Sequence, residues 1–205
     1  MMTPAEYFLI EKDDIKIDAG ELARRLSVGR DFDVSVFDDA IRKVFEVMTP
    51  KCCFVKVEVK AENGIAHLGF VKAESHDLCK NLDGCREGYV FAVTLGHGVD
   101  RLLSRLSLLS PADFFVCDAV GSALAESVCD MAEQMIKNGK KCRPRFSPGY
   151  GDFDLSLQKD VLSVLNAQKL LGITLTDSGL MTPQKSITAV LGAEPAQAIH
   201  DQFSR

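Results

Sequence analysis

One long amphipathic helix constrains this chain more than any other feature of its sequence. Ser110-Pro111 is a helix start, because proline fits the first helical turn, and Asn138-Gly139 is a C-cap signal. At about 1.5 Å per residue, a helix from residue 111 to about residue 137 is about 40 Å long and would cross most of a 205-residue domain. Its apolar stripe consists of Cys117, Val120, Leu124, Val128, Met131 and Met135.

The first 50 residues read as an arm. Ile15 and Ile17 alternate with a lysine and predict a short strand, Asp18 is placed to cap a short helix, and Asp33 precedes an amphipathic helix that ends before Pro50. We therefore predict an N-terminal arm over residues 1–50 and a core over residues 51–205, together forming one compact domain.

The remaining strands do not follow a regular βαβαβ rhythm. Residues 54–59 alternate apolar and charged, Asn63-Gly64 favours a tight turn, and residues 65–70 form the predicted return strand of a hairpin. Further strands are predicted over residues 89–95 and 186–191. Because helices and strands are mixed with at least one local hairpin, we predict an α+β fold with a mixed, mostly antiparallel twisted sheet and flanking helices.

Charge and composition exclude several classes of protein. A net charge of −5 argues against a general nucleic-acid binder, which needs a basic surface. No stretch approaches the roughly 18 uninterrupted apolar residues of a membrane span, and the first residues lack the basic and apolar regions of a secretory signal. We expect a cytoplasmic protein with no nucleic-acid or membrane partner. The odd number of cysteines fits reduced thiols, namely Cys52, Cys53, Cys79, Cys85, Cys117, Cys129 and Cys142.

Two short motifs carry little specific signal. Gly96-His97-Gly98 lies between a predicted strand and a helix, where a Rossmann loop would lie, but position 101 is arginine rather than the third glycine. We expect an ordinary turn there and no catalytic histidine. Cys79 and Cys85, near His76, lack the four regularly spaced ligands of a zinc site, so we expect small buried hydrophobic residues and no metal.

The loop from Arg145 to Tyr150 is more informative. Arg145 offers a planar fork that suits a carboxylate, and Pro148 stiffens the chain before Gly149. Gly149 would let a ligand approach the backbone closely, and Tyr150 offers a flat ring and a hydroxyl. Together they could hold an amino-acid carboxylate and an aromatic base, although a surface loop with a salt-bridged arginine is the alternative.

Arg145-Phe146-Ser147-Pro148-Gly149-Tyr150 resembles the RxxxGY motif of the activation domain of cobalamin-dependent methionine synthase. The similarity extends over roughly residues 88–192, through the upstream Leu124-Ala125-Glu126 and the downstream Pro183-Gln184-Lys185-Ser186-Ile187-Thr188. Fused enzymes of the family usually have proline after the tyrosine. Gly151-Asp152 at that place is similar to small stand-alone relatives. The arm matches poorly, so the family's acidic ligand from that region is assigned to no residue here.

The resemblance implies that Glu126, Arg145, Gly149 and Tyr150 bind S-adenosylmethionine. By pattern alone Glu126 is a solvated glutamate, since it points away from the apolar stripe of its helix. The resemblance instead implies that Glu126 binds the cationic amine or lies near the sulfonium, and that Arg145 binds the methionyl carboxylate. Small neighbours on the Glu126 face of the helix would let a ligand pack closely.

What the resemblance implies about function is reactivation in trans. The family's activation domain presents S-adenosylmethionine for reductive methylation of cob(II)alamin, with one electron from a flavodoxin-like donor. No DxHxxG cobalamin motif occurs in this chain, so the cobalamin is expected on a partner methionine synthase or other corrinoid protein. No general base or nucleophile is nominated, because the protein would supply binding and orientation only.

Two other classes of function stay open at this stage. One is a binding module that keeps the fold for sensing or assembly without a role in methyl transfer. The other is an independent S-adenosylmethionine-dependent methyltransferase, which the missing Rossmann glycines disfavour.

Overall fold

A computed structural model describes residues 4–29 and 32–195; the tail beyond residue 195, predicted as part of the core, lies outside them. Within this part of the chain there are seven α-helices and nine strands. The helices are α1 (Ala19–Leu26), α2 (Asp38–Val47), α3 (His76–Asn81), α4 (His97–Leu109), α5 (Pro111–Lys137), α6 (Gln158–Val164) and α7 (Ala167–Leu171). The strands are β1 (Glu6–Leu9), β2 (Lys51–Glu58), β3 (Lys60–Glu62), β4 (Ile65–His67), β5 (Lys72–Glu74), β6 (Glu87–Thr94), β7 (Thr174–Leu175), β8 (Met181–Thr182) and β9 (Ser186–Ala193).

The central sheet has four strands in the order β1-β2-β6-β9, and every neighbouring pair is antiparallel. Val90 of β6 lies opposite Val55 of β2 on one side and Val190 of β9 on the other. Two smaller antiparallel sheets, β3-β4-β5 and β7-β8, complete the described part of the chain. The predicted α+β class with a mostly antiparallel sheet is confirmed.

The sheet separates two hydrophobic cores because side chains alternate between its faces. Phe91 and Val93 of β6 face the core beneath α1, α2, α4 and α5. Val90 and Ala92 face the second core, which α3, α6 and α7 cover together with Phe153. With both faces covered, β6 is almost wholly buried, so its sequence is a continuous apolar run rather than an alternating one.

The long helix α5 has the predicted bounds. Ser110 Oγ accepts the backbone N–H of Asp113, Pro111 occupies the first turn, and Asn138 ends the helix at φ +44°. Its apolar residues pack on the sheet, and α1, α2 and α4 contact other sides of the helix. No helix within residues 4–29 and 32–195 is long and apolar enough to cross a membrane.

Two local expectations were wrong. The Asn63-Gly64 turn is tight, with both residues at positive φ, but it joins β3 to β4; β2 pairs with β1 and β6 instead of a return strand at residues 65–70. The arm's strand is β1 and not the Ile15–Ile17 segment, where Ile15 is buried beside a 3-10 turn (Lys12–Asp14). In both cases the strand pairs with a segment far along the chain, β1 with β2 and β2 also with β6.

The N-terminal residues share the main core with the rest of the chain. β1 pairs with β2 over four residues, and Leu22 of α1 is completely buried. Asp18 caps α1 by accepting the N–H of Glu21 at 2.8 Å. The division into an arm and a core near residue 50 stays a prediction.

Candidate functional site

A cavity of about 360 Å³ opens where α5, the Arg145–Tyr150 loop and β9 meet. This volume lies within the range of roughly 300–1,000 Å³ that small-molecule sites occupy. Three of the four residues predicted to bind a ligand line the cavity, namely Glu126, Arg145 and Tyr150. Residues from β8 and β9, including Met181 and Thr188, also line the cavity.

Backbone hydrogen bonds to β9 hold the loop that carries Arg145 and Tyr150. The N–H of Phe146 donates to the carbonyl of Val190 at 2.9 Å, and the N–H of Val190 donates back at 2.8 Å. The Phe146 ring stacks on the buried ring of Phe153, with centroids 6.3 Å apart. Phe146, near the start of the loop, is therefore held both to the sheet and to the second core.

Gly149 lies in the loop but is not among the residues that line the cavity. Its φ is +91°, a region that glycine adopts readily, and its N–H donates to the carbonyl of Phe153 at 2.7 Å. The glycine therefore makes the turn between Pro148 and Tyr150. Close approach of a ligand to its backbone stays a prediction.

Arg145 is the centre of an ionic network on α5. One terminal nitrogen donates to Asp130 and, at 2.9 Å, to Glu133, while the other donates to Glu126 Oε2 at 3.0 Å. Burial alone would lower the pKa of the guanidinium, but its hydrogen bonds to Asp130 and Glu133, together with the negative charge of Asp130, raise that pKa above its ordinary value. One cation thus holds three carboxylates.

Glu126 is half-buried, with 32% of its side chain exposed, and it reaches the cavity. Its second oxygen, Oε1, lies 3.6 Å from Nη2 of Arg25 on α1. The fully solvated glutamate that helical periodicity indicates is not what the structure shows, because α1 and the Arg145 loop pack beside α5. Glu126 and Arg145 were predicted to bind opposite charges of one ligand, and here they also pair with each other.

Apolar side chains surround the cavity mouth. Tyr150 is 66% exposed, and Leu155 and Leu180, which also line the cavity, are exposed by 48% and 64%. Large apolar groups left open to water at a cavity mouth favour contact with a flat or apolar part of a ligand.

A buried polar pair, Gln158 and Thr188, lies in the cavity wall, and sequence reasoning missed it. The two side chains are within 2.8 Å, and Gln158 is only 4% exposed. Thr188 falls in the segment that carried the family resemblance, but Gln158 had no signal beyond a buried position on an amphipathic helix.

Gly151 and Asp152, which follow Tyr150, connect the loop to α3. Asp152 accepts hydrogen bonds from the Ser75 hydroxyl and from two N–H groups at the start of α3. A Cβ on Gly151 would lie 2.3 Å from Asp77 Oδ2, so the absence of a side chain lets the loop lie against the Asp77 carboxylate. Gly151-Asp152 therefore has a local structural role beside the candidate site.

The other two motifs take part in packing. Gly96 precedes α4 at φ +80°, and Gly98 lies against the carbonyl of Val47 on α2, so Gly96-His97-Gly98 is a helix-start turn, as predicted. Because the described strands pair antiparallel, no Rossmann half-unit surrounds it.

Five cysteines are buried, whereas Cys79 and Cys142 are partly exposed. Within residues 4–29 and 32–195, no group of three or more His, Cys, Asp or Glu side chains is placed to hold a metal ion.

Comparisons with known proteins agree with this geometry. Residues 131–201 match the family described as "Vitamin B12 dependent methionine synthase, activation domain". A crystal structure of the MetH reactivation domain bound to AdoHcy superposes with a TM-score of 0.69 over 93% of this chain and 78% of that one, at 15% sequence identity. No curated protein matches the chain significantly in sequence. The predicted resemblance is therefore confirmed: the chain is similar to the methionine synthase activation domain in its C-terminal sequence and in its fold.

Proposed function

We propose that this protein binds S-adenosylmethionine and presents it for reductive methylation of cob(II)alamin on a methionine synthase, or another corrinoid protein, acting in trans. The observation that carries the proposal is the cavity shared by Glu126, Arg145 and Tyr150. The similar MetH reactivation domain was crystallised with AdoHcy, the demethylated form of this ligand. Such a protein would work in the cytoplasm, in methionine biosynthesis, without nucleic-acid or membrane partners.

The residues present fit a nucleoside joined to an amino acid. Glu126 would hold the ammonium group, Arg145 would contribute to binding the carboxylate, and Gly149 would shape the loop between them. Tyr150, Leu155 and Leu180 would contact the adenosine. Three carboxylates surround the single guanidinium of Arg145, so the net charge of this network is negative. A negative network favours a ligand that carries a positively charged sulfonium.

When bound, S-adenosylmethionine supplies an electrophilic methyl group. In the proposed overall reaction one electron from a flavodoxin-like donor reduces cob(II)alamin, the methyl–sulfur bond breaks, and methylcobalamin and S-adenosylhomocysteine form. The chain's own contribution is orientation, since its residues fix both ends of the ligand and leave the cavity mouth open to a partner.

Calorimetry tests ligand binding first. The parent protein is expected to bind S-adenosylmethionine, and Glu126→Gln is expected to weaken binding by about 1–3 kcal/mol, because a charged hydrogen bond is lost. Glu74→Gln, at an exposed position on β5, is the matched control and is expected to bind like the parent. A parent protein that does not bind would contradict the proposal and favour a sensing or assembly module.

A reactivation assay tests the second half. The protein is mixed with a cob(II)alamin-loaded methionine synthase that lacks its own activation domain, S-adenosylmethionine and a reduced flavodoxin. We expect the methylcobalamin spectrum to appear with the parent and more slowly with Glu126→Gln. Unchanged cob(II)alamin with a protein that binds the ligand would refute the role in trans. Methyl transfer without any corrinoid would indicate an independent methyltransferase.

A further inference from the structure

A second cavity of about 160 Å³ adjoins the first on the other side of Glu126. The two cavities share Glu126, Ser186 and Ile187 among their lining residues. The small cavity is also lined by Arg25 of α1 and by Lys185, which immediately precedes β9. The N-terminal segment therefore reaches the candidate site, and the side chain that it contributes is the cation Arg25. The resemblance implies an acidic ligand from this region, but it assigned that ligand to no residue.

Arg145 cannot offer its whole fork to a ligand. Both N–H groups of its Nη1 are engaged, one by Asp130 and one by Glu133, and Nη2 uses one N–H on Glu126. A guanidinium has five N–H groups in fixed directions, so only Nε–H and one Nη2–H remain. A ligand carboxylate would receive at most a partial set of hydrogen bonds from this side chain.

Lys185 is also engaged. Its Nζ donates to Asp118 at 2.7 Å and to Ser122 at 2.8 Å, and its side chain is 10% exposed. The aliphatic stem passes over Gly121 at 3.4 Å from the position of a Cβ there. Lys185 thus braces β9 against α5 and has little freedom to turn toward a ligand.

Arg25 has more free donors than either of the other two cations. Its Nε–H donates to Glu21 at 2.6 Å, which fixes the plane of the guanidinium. Nη2 lies 3.6 Å from Glu126 Oε1, too far for a hydrogen bond. Within the described residues, the terminal N–H groups of Arg25 therefore have no hydrogen-bond acceptor, and they lie at the small cavity.

We propose that Arg25 is a second ligand-binding arginine, and that the small cavity receives the amino-acid end of S-adenosylmethionine. The ligand's ammonium would bind Glu126 between the two arginines, and its carboxylate would accept from Arg25 together with the free N–H groups of Arg145. This rests on the proposed function, because it assigns one end of the same ligand. It makes α1 part of the site.

The test pairs one variant with one change in the ligand. S-Adenosylmethionine and decarboxylated S-adenosylmethionine differ by the carboxylate that Arg25 would contact. Calorimetry with the parent protein is expected to show at least about tenfold tighter binding of the carboxylated ligand. Arg25→Gln is expected to lose most of that preference while binding the decarboxylated ligand as the parent does, which also shows that the variant is folded.

Arg24→Gln is the matched control. Arg24 is the preceding residue on α1 and also pairs with Glu21, but 73% of its side chain is exposed. This variant is expected to keep the parent's preference. Arg25→Gln with an unchanged preference, or with equal weakening of both ligands, would overturn the assignment of Arg25 while leaving the proposed function standing. A parent that binds neither ligand would overturn both.

Discussion

The carboxylate of Asp152 accepts a 2.7 Å hydrogen bond from the backbone N–H of His76, the first residue of α3. The same carboxylate accepts from the Ser75 hydroxyl and, at 3.1 Å, from the N–H of Asp77. The Ser75 hydrogen bond, followed by those from His76 and Asp77, holds the pKa of Asp152 below its usual value. A residue two positions after Tyr150 therefore ties the candidate ligand loop to a helix more than 70 residues earlier.

Replacing Asp152 by asparagine is expected to lower the Tm and to weaken S-adenosylmethionine binding, because the loop loses its anchor. Since the pKa is lowered in the folded state, the stabilisation is complete above the unfolded pKa of about 3.9 and is lost as the pH falls through the folded value. Thermal unfolding at pH 7 and pH 3 should show a Tm difference from the parent that shrinks at pH 3. Asp83→Asn, at an exposed position, is the control; a difference that stays constant with pH would contradict this role.

Arg145→Gln is expected to reduce the free energy of unfolding by about 1–3 kcal/mol, because Glu126, Asp130 and Glu133 lose their common counter-ion. Adding Asp130→Asn removes one of the repelling charges and should restore part of that loss. Urea unfolding of the two single variants and the double variant measures the coupling. Strictly additive effects would mean that the network does not act as a unit.

The buried thiols predict a loss of stability at alkaline pH. Burial raises the pKa of Cys53 and of Cys129 to about 12. Their stabilising contribution is complete below the unfolded pKa of about 8.5 and is lost as the pH rises toward the folded value. Between pH 7.5 and pH 9.5, urea unfolding should show a fall of about 1 kcal/mol for each buried thiol. The double variant Cys53→Ala/Cys129→Ala should show a smaller fall, and an equal fall in both proteins would refute this explanation.

Gly98→Ala is expected to destabilise the fold by about 1–3 kcal/mol, the usual effect of overpacking. Its Cβ would lie 2.0 Å from the carbonyl oxygen of Val47, so α4 and α2 would have to move apart. Gly29→Ala is the control, because a Cβ there meets nothing within 4 Å. Equal Tm values for the two variants would show that the helix crossing adapts without cost.

Local signals were sufficient to predict α5. The bounds of α5 depend on a serine–proline start and an Asn138 end, both of which act within one helical turn. Strand partners were harder to predict, because β2 pairs with β1 on one side and with β6, about 36 residues later, on the other. Alternation shows which residues form a strand, but it carries no information about the strand that will lie beside it.

The residues of the candidate site also fall into two groups, those with a signal in the sequence and those without one. Arg145, Gly149 and Tyr150 lie in one contiguous motif, and Glu126 was reached through the resemblance rather than through its helical pattern. Gln158 and Arg25 had no such signal, and Thr188 lay in the segment of the resemblance without a predicted role, because each reaches the site only through packing of a separate element. Their side chains are ordinary for a helix or strand, and tertiary contact alone distinguishes them.

The pairing of Phe146 with Val190 also sets a time order for the growing chain. During synthesis, the motif loop emerges from the ribosome about 40 residues before β9, so Arg145 and Tyr150 lack the sheet anchor of their loop until β9 has been made. A nascent chain stopped before residue 186 would contain Glu126 and the whole RxxxGY motif but lack the cavity wall that Ser186, Ile187 and Thr188 form. Ligand capture by such stalled chains would therefore report the moment at which the last strand joins the sheet.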